Sequence, residues 1–431
     1  MMDLSAILNE VIDGRVKGFP TDAAPGALKD LGSRKWNVLR QDLPFPLALL
    51  KDSALAHNQA WMRDFTADSA VLLAPHGKTT MAPQLFARQL AGGAWGITVA
   101  TVNQLGIAVR FGLRRIIMAN QLVGRRDITA VIGLLRRHPD LDFSFLVDSD
   151  AQLDILTGLA AAHGLERPFN LLLEIGVEGG RTGCRSETQA MALARRIAAE
   201  RHVLLAGLEC YEGLAVSGKS ADDVPRVAAL LETVKAVALA CDAEQLFGRE
   251  RVILSAGGSA AFDIVARELP TRLSRPVLTI LRSGCYFTHD SGIYERMLGP
   301  IRERSGAKWL TRPGLKPALE VWSLVQSRPE PGLAILTMGR RDVSYDVEMP
   351  RPIAWFRGGA QTAPAAAPPD WRIAKLNDQH AYLELPEAAD LRVGDLVACG
   401  ISHPCTTFDK WQLLWLVDDR YEVTSAIRTF F

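Results

Sequence analysis

Eight short apolar runs recur through the first two thirds of the chain, and each is continuous rather than alternating. They fall at 71–74, 96–99, 115–119, 143–147, 171–175, 204–208, 252–255 and 277–281. A strand buried on both faces reads as an unbroken apolar run, which is the signature of a parallel sheet. Amphipathic stretches such as 151–162, 187–201 and 221–240 lie between the runs and read as helices. Eight β-α units in this order match an α/β fold of the (β/α)8 type, a TIM-like barrel. An open, doubly wound sheet is the alternative reading of the same rhythm.

After residue 300 the texture changes. Segments 317–325, 333–336 and 381–385 alternate in places and are broken by Pro329-Glu330-Pro331-Gly332, Gly339 and Gly394-Asp395. This pattern predicts an antiparallel β domain. The Ala/Pro-rich stretch 358–369 reads as an exposed loop within it. The expected division is an N-terminal extension over 1–42 that packs on the β domain, a barrel over 43–300 and the β domain over 301–431. Residues 10–17 read as helical. Residues 45–50 read as a short strand or the lead-in to a helix over 52–63.

With 431 residues the chain is long enough for a barrel and an accessory domain. Its formal charge of +1 gives no reason to expect nucleic acid or an anionic membrane as a partner. No apolar run approaches the ~20 residues that span a bilayer, and the first residues show no signal-peptide pattern. Six cysteines spread over this length fit a reduced, cytoplasmic setting rather than a disulfide scaffold.

In such a barrel the chemistry sits past the C-terminal ends of the strands, so the residues just beyond each run are informative. The first run leads into Pro75-His76-Gly77-Lys78-Thr79. A partly desolvated lysine amine there is a good holder for an aldehyde cofactor; a surface lysine at a helix start is the plainer alternative. Arg181 comes after the fifth run, where a guanidinium could face a ring nitrogen or a carboxylate, or simply solvent. Tyr211 comes after the sixth and reads equally well as a packed rim aromatic. Gly257, Gly258 and Ser259 come after the seventh, where backbone N–H groups and a hydroxyl can approach an anion. Near the C-terminus, His403 and Cys405 present an imidazole and a thiol from alternate positions of Ser402-His403-Pro404-Cys405. Both are good zinc ligands, and two protein donors leave positions open for water or substrate. An unligated pair in a turn is the other reading.

Together these pieces, with Leu281-Arg282-Ser283-Gly284-Cys285-Tyr286 and the closing Ala426-Ile427-Arg428-Thr429-Phe430, resemble the D-serine dehydratase and D-threonine aldolase-like family. These are pyridoxal phosphate enzymes of fold type III with an alanine-racemase-type barrel, and the long N-terminus is similar to that of bacterial amino acid deaminases. The resemblance implies that Lys78 forms the Schiff base with pyridoxal 5'-phosphate. It implies that Gly257, Gly258 and Ser259, with Tyr286, hold the phosphate, and that Arg181 and Tyr211 contact the cofactor. It makes His403 and Cys405 ligands of Zn2+ or another divalent metal. It further implies a homodimer. The expected reaction is dehydration of a D-3-hydroxy amino acid such as D-serine or D-threonine, giving a 2-oxo acid and ammonia. Retro-aldol cleavage on the same scaffold is the runner-up, ahead of a racemase or a non-catalytic cofactor carrier.

Overall fold

The computed structural model describes residues 2–215 and 220–431. The eight apolar runs become parallel strands: β1 (Leu72–Leu73), β2 (Ile97–Val99), β3 (Arg115–Gln121), β4 (Asp142–Val147), β5 (Phe169–Ile175), β6 (Val203–Cys210), β7 (Val252–Ala256) and β8 (Val277–Leu281). They pair in the order β1-β8-β7-β6-β5-β4-β3-β2. A parallel bridge between His76 and Thr98 joins the two ends of that series, so the sheet closes into a barrel rather than an open twist. Ala74, Ile117, Leu146, Leu172, Ala206, Ile253 and Ile280 meet inside it as an apolar plug.

Three of the turns from strand to helix share one device. Thr101, Ser149 and Ser186 cap their helices, each side chain accepting from the backbone N–H of Gln104, Gln152 and Gln189. Each glutamine reaches back to the N–H of Ala100, Asp148 and Arg185. A reciprocal box of this kind satisfies backbone donors at both ends and fixes the angle at which the chain leaves the barrel mouth.

The second sheet is built around the long strand Leu319–Glu330, which pairs antiparallel with Leu396–Gly400 and Leu333–Leu336. The strand Leu47–Lys51 also belongs here, antiparallel to Leu319–Glu330 and parallel to Leu413–Val417. The chain therefore visits the second sheet first and enters the barrel with the helix Asp52–Asp68, later than the boundary at 43 read from the sequence. The helix expected over 10–17 does not form. Val11–Ile12 pairs antiparallel with Gly26–Ala27. The Asp13 carboxylate accepts the N–H of Arg15, a local turn that competes with helix. A Cβ on Gly14 would lie 2.8 Å from Thr21 Cα.

Ile7, Ile12, Phe19, Leu31 and Val38 pack with Trp322, Leu413 and Trp415 in one buried cluster. Trp415 is fully buried, its Nε1 donating to the Gly18 carbonyl at 3.1 Å and its ring meeting Trp36 edge-on. Among the described residues no helix is long and apolar enough to cross a membrane.

This packing makes Trp415 the pin of the N-terminal extension. Trp415→Ala should cost about 3–5 kcal/mol, read as a lower urea midpoint, and should make residues 1–42 more sensitive to limited proteolysis. A second expectation concerns Asp290, which is 2 % exposed. Burial pushes its carboxyl up to about 6, although the N–H groups of Tyr294 and Glu295 donate to it. A folded value above the unfolded one means stability is present at low pH and lost as pH rises through about 6. Stability of the native protein relative to Asp290→Asn should therefore fall by about 1 kcal/mol between about pH 5 and pH 8. A flat or rising difference in melting temperature would contradict this.

Candidate active site

β1 ends at the barrel mouth, and Gly77–Thr79 form a single 3-10 turn beyond it. Gly284 passes directly behind, where a Cβ would sit 2.6 Å from the His76 carbonyl, so no larger residue fits. The turn aims Lys78 into a cleft of ≈490 Å³. Lys78 is exposed there rather than partly desolvated as the sequence leads one to expect. His76 lies beside it with Nδ1 buried and, among the described residues, without a partner. Burial, reinforced by the charges of Lys78, Arg282 and Arg181, holds its imidazole well below the usual range and so neutral.

The cleft brings Lys78 together with Arg181, Tyr211, Gly257, Gly258 and Ser259. Gly257 has φ +103°, a conformation that favours glycine. The N–H groups of Gly257 and Gly258 converge on the buried carboxylate of Glu212, at 2.9 and 2.5 Å. Ser283 Oγ donates to the carbonyls of the same two glycines, pinning the turn from its other side. Arg181 is exposed, its guanidinium 5.2 Å from the centre of the Tyr211 ring. Tyr286 does not line this cleft; with Ser259 and Tyr294 it lines a small pocket beside it. It is 3 % exposed, packs in the apolar core against Phe287 and bonds Gln89 through its hydroxyl. Tyr294 lines the cleft instead.

The floor of the cleft is polar. Glu209, the last inward residue of β6, is in register with Glu174 on β5 and Ser255 on β7. Arg282 reaches under it, with its guanidinium on Glu209 Oε1, on Ser255 Oγ at 2.7 Å and on the Cys210 carbonyl at 2.9 Å. Glu209 Oε2 has no partner among the described residues. Burial pushes the Glu209 carboxyl up to about 8 against the pull of Arg282.

His403 and Cys405 reach the same cleft from the second sheet. His403 Nδ1 donates to Asp346 Oδ2 at 2.6 Å. Cys405 Sγ lies 3.9 Å from Cys285 Sγ and 3.4 Å from Thr79 Oγ1. Bonds from Cys285, His403 and Thr79 hold the Cys405 thiol well below the usual range, and contact with Cys405 and Asp346 pushes His403 up to about 9. Among the described residues no group of three or more His, Cys, Asp or Glu side chains could hold a metal ion. The donor set is thus two, an imidazole Nε2 oriented by a carboxylate on Nδ1 and a thiolate, which fits a metal that keeps open positions. The cleft likewise fits pyridoxal phosphate. It has the volume for a small cofactor, a free primary amine, and a turn whose N–H groups already hold an anion.

Glu209 and Tyr294 line the cleft and Asp346 bonds His403, and sequence reasoning singled out none of them; Arg282 and Cys285 lie in the 281–286 motif it quoted without a role of their own. An acid just past the apolar run 204–208 was a signal for Glu209. Tyr294 and Asp346 come after turns with no distinguishing pattern.

Residues 51–286 match the alanine racemase N-terminal domain, and residues 318–417 match a putative serine dehydratase domain. The chain is 25% identical over 359 residues to the D-threonine aldolase of Arthrobacter sp., covering 81% of this chain and 82% of that one. It is 29% identical over 152 residues to the D-threo-3-hydroxyaspartate dehydratase of Delftia sp. (strain HT23), covering 35% of this chain and 39% of that one. Its fold resembles the crystal structure of D-threonine aldolase from Filomicrobium marinum, with a TM-score of 0.74 at 23% identity over 90% of this chain and 95% of the other. With more than half its length matched by the barrel domain, the chain belongs to the alanine racemase-type family and joins that barrel to a serine dehydratase-type second domain.

Proposed function

We propose that this protein is a pyridoxal phosphate- and metal-dependent lyase that dehydrates D-3-hydroxy amino acids to 2-oxo acids and ammonia. The observation that carries the reading is that Lys78 from the barrel and the His403–Cys405 pair from the second sheet open into one cleft. A carrier of the cofactor alone would need no such pair.

When bound, the cofactor would supply an electron sink at the substrate α-carbon, and the metal a Lewis acid at its β-hydroxyl. Lys78 would hold the cofactor aldehyde and, once displaced by the substrate amine, take the α-proton on Nζ. Gly257, Gly258 and Ser259 would hold the phosphate, with Arg181 and Tyr211 at the ring. His403 and Cys405 would hold the metal, and Asp346 would orient the His403 ring through Nδ1. Cys405 bonds Thr79, the neighbour of Lys78, so the leaving hydroxyl and the amine that takes the proton would be served from one corner. A soft thiolate donor favours zinc over harder divalent ions.

The second reading is retro-aldol cleavage, which the D-threonine aldolase relative supports through its longer match. There a base would take the proton of the β-hydroxyl and the Cα–Cβ bond would break. The pairing of Cys405 with His403, rather than two hard donors, is what inclines us to dehydration.

The deciding experiment is a product assay with D-threonine, with and without chelator. Dehydration gives 2-oxobutanoate and ammonia, lost on chelation and restored by zinc. Glycine and acetaldehyde would establish the aldol route and overturn the proposed reaction. Cys405→Ala should lower turnover by about 100-fold or more while leaving the cofactor absorption band in place; full activity in a chelated sample of that variant would remove the metal from the mechanism. Lys78→Ala should lose the band itself.

A further inference from the structure

We infer that Cys285 and Cys405 are a modification site, two thiols that close into a reversible disulfide tying the barrel to the second sheet across the cleft. The bond itself rests on no reading of the function. Its consequence, the loss of a metal donor, rests on the metal reading above.

The pair joins parts of the chain 120 residues apart. Cys285 stands in the turn past β8, where its carbonyl accepts the N–H of His289 at 2.7 Å and the neighbouring Ser283 hydroxyl bonds the carbonyls of Gly257 and Gly258. Cys405 opens the short helix Cys405–Phe408, and the Pro404 carbonyl just before it accepts from Thr407 and Phe408. Both backbones are held, and the two Sγ atoms meet at 3.9 Å. Thr79 Oγ1 flanks the pair, 3.4 Å from Cys405 Sγ. Closing to the ~2.05 Å of a disulfide takes about 2 Å of sulfur movement, and a change of rotamer swings a cysteine sulfur by about 3 Å.

Both thiols line the cleft, Cys405 partly exposed and Cys285 6 % exposed, so an oxidant small enough to enter meets Cys405 first. Cys184, Cys210, Cys241 and Cys399 are each 1 % exposed or less. A hydroperoxide is the class of oxidant that fits, hydrogen peroxide being the smallest. The Cys405 sulfur attacks one peroxide oxygen, the O–O bond breaks, a sulfenic acid forms and one water leaves with the thiol proton. The Cys285 sulfur then attacks the sulfenic sulfur, the S–O bond breaks, the S–S bond forms and a second water leaves with the Cys285 proton. The two thiols give up two electrons and one peroxide takes them. A resolving thiol already in contact is what diverts a sulfenic acid from further, irreversible oxidation. A sulfur in a disulfide no longer offers the thiolate that a metal takes. The bond would thus remove one of the two donors proposed above and leave His403 alone.

The test counts thiols rather than turnover. The full chain is treated with chelator and then with hydrogen peroxide, alkylated under denaturing conditions, digested and mapped by mass beside an untreated sample. Alkylated cysteines should fall from six to four, with one cross-linked peptide pair that holds Cys285 and Cys405, and dithiothreitol should restore all six. Cys285→Ala should form no such bond, and its Cys405 should gain oxygen instead. Six alkylated cysteines after peroxide would overturn the inference, as would a wild-type Cys405 carrying two or three oxygens beside a free Cys285. Should the variant fail to fold, the wild-type map alone decides. Zinc is then titrated into oxidised and reduced wild type, and the oxidised form should bind it at least about 10-fold more weakly. Equal zinc binding with the bond mapped would leave the disulfide established and overturn the metal reading, an outcome distinct from absence of the bond.

Discussion

Everything at the mouth of this barrel depends on the fact that its interior is full. Ala74, Ile117, Leu146, Leu172, Ala206, Ile253 and Ile280 leave no room for a ligand along the axis. Polar groups can only enter the barrel one residue further along each strand, where the plug ends. Glu174, Glu209 and Ser255 sit at that level in adjacent strands, and Gln121 and Thr182 complete the bonding of Glu174. A layer of acids directly above an apolar plug is tolerable only if each is bonded, because burial without a partner costs several kcal/mol. Glu174 is fully engaged. Glu209 has one oxygen on Arg282 and one buried without a partner among the described residues. The packed core thus decides at which level polar groups can stand and which carboxyl is left incompletely bonded.

The second sheet is positioned by the chain path rather than by a loose linker. Leu47–Lys51 is locked into it on both sides before the barrel begins, and Leu319–Glu330 returns to pair with that strand after the barrel ends. The barrel is therefore tied at both its ends to one sheet. The loop after Leu396–Gly400 carries His403 and Cys405, and the N–H of Ser291, past the last barrel strand, donates to the Ile401 carbonyl at 2.8 Å. That backbone bond and the Cys405–Thr79 contact at 3.4 Å bring the two domains together at the cleft. A pair of side chains from one domain can meet a lysine from the other with little freedom left to lose, which is what positioning for catalysis requires.

Much of this was legible in the sequence, for a physical reason. Strands buried on both faces must be apolar throughout, so eight continuous runs announce eight parallel strands. The place of Lys78 at the barrel mouth was legible because it comes just after such a run, and His403 and Cys405 stood out as two donor side chains at alternate positions, although spacing alone fitted an unligated pair in a turn as well. What failed was whatever depends on a distant partner. Residues 10–17 have a helical pattern, but Asp13 turns the chain locally and Gly26–Ala27 supplies a strand neighbour. Tyr286 is absent from the lining of the Lys78 cleft, which Tyr294 shares, but with Ser259 and Tyr294 it lines a small adjoining pocket. Asp346 lies 57 residues from the histidine it orients, with no shared motif. Glu209 was an acid just past an apolar run, a local contradiction of the kind that marks function more often than error.

Glu212 shows how the turn past β7 is held. Sequence reasoning takes the N–H groups of Gly257 and Gly258 as an anion cradle, and in the structure an anion does occupy them, supplied by the chain itself. The turn is therefore preorganised, since the left-handed φ of +103° at Gly257 is already held by Glu212 on one side and Ser283 on the other. On the proposed reading, a phosphate that took those donors would exchange one anion for another, and its binding free energy would be a difference. Burial raises the Glu212 carboxyl above its ordinary range, so its release would relieve a desolvation cost while giving up two hydrogen bonds. A dianion would gain more from the same N–H groups than a carboxylate does, so the turn would favour a doubly charged ligand over a singly charged one.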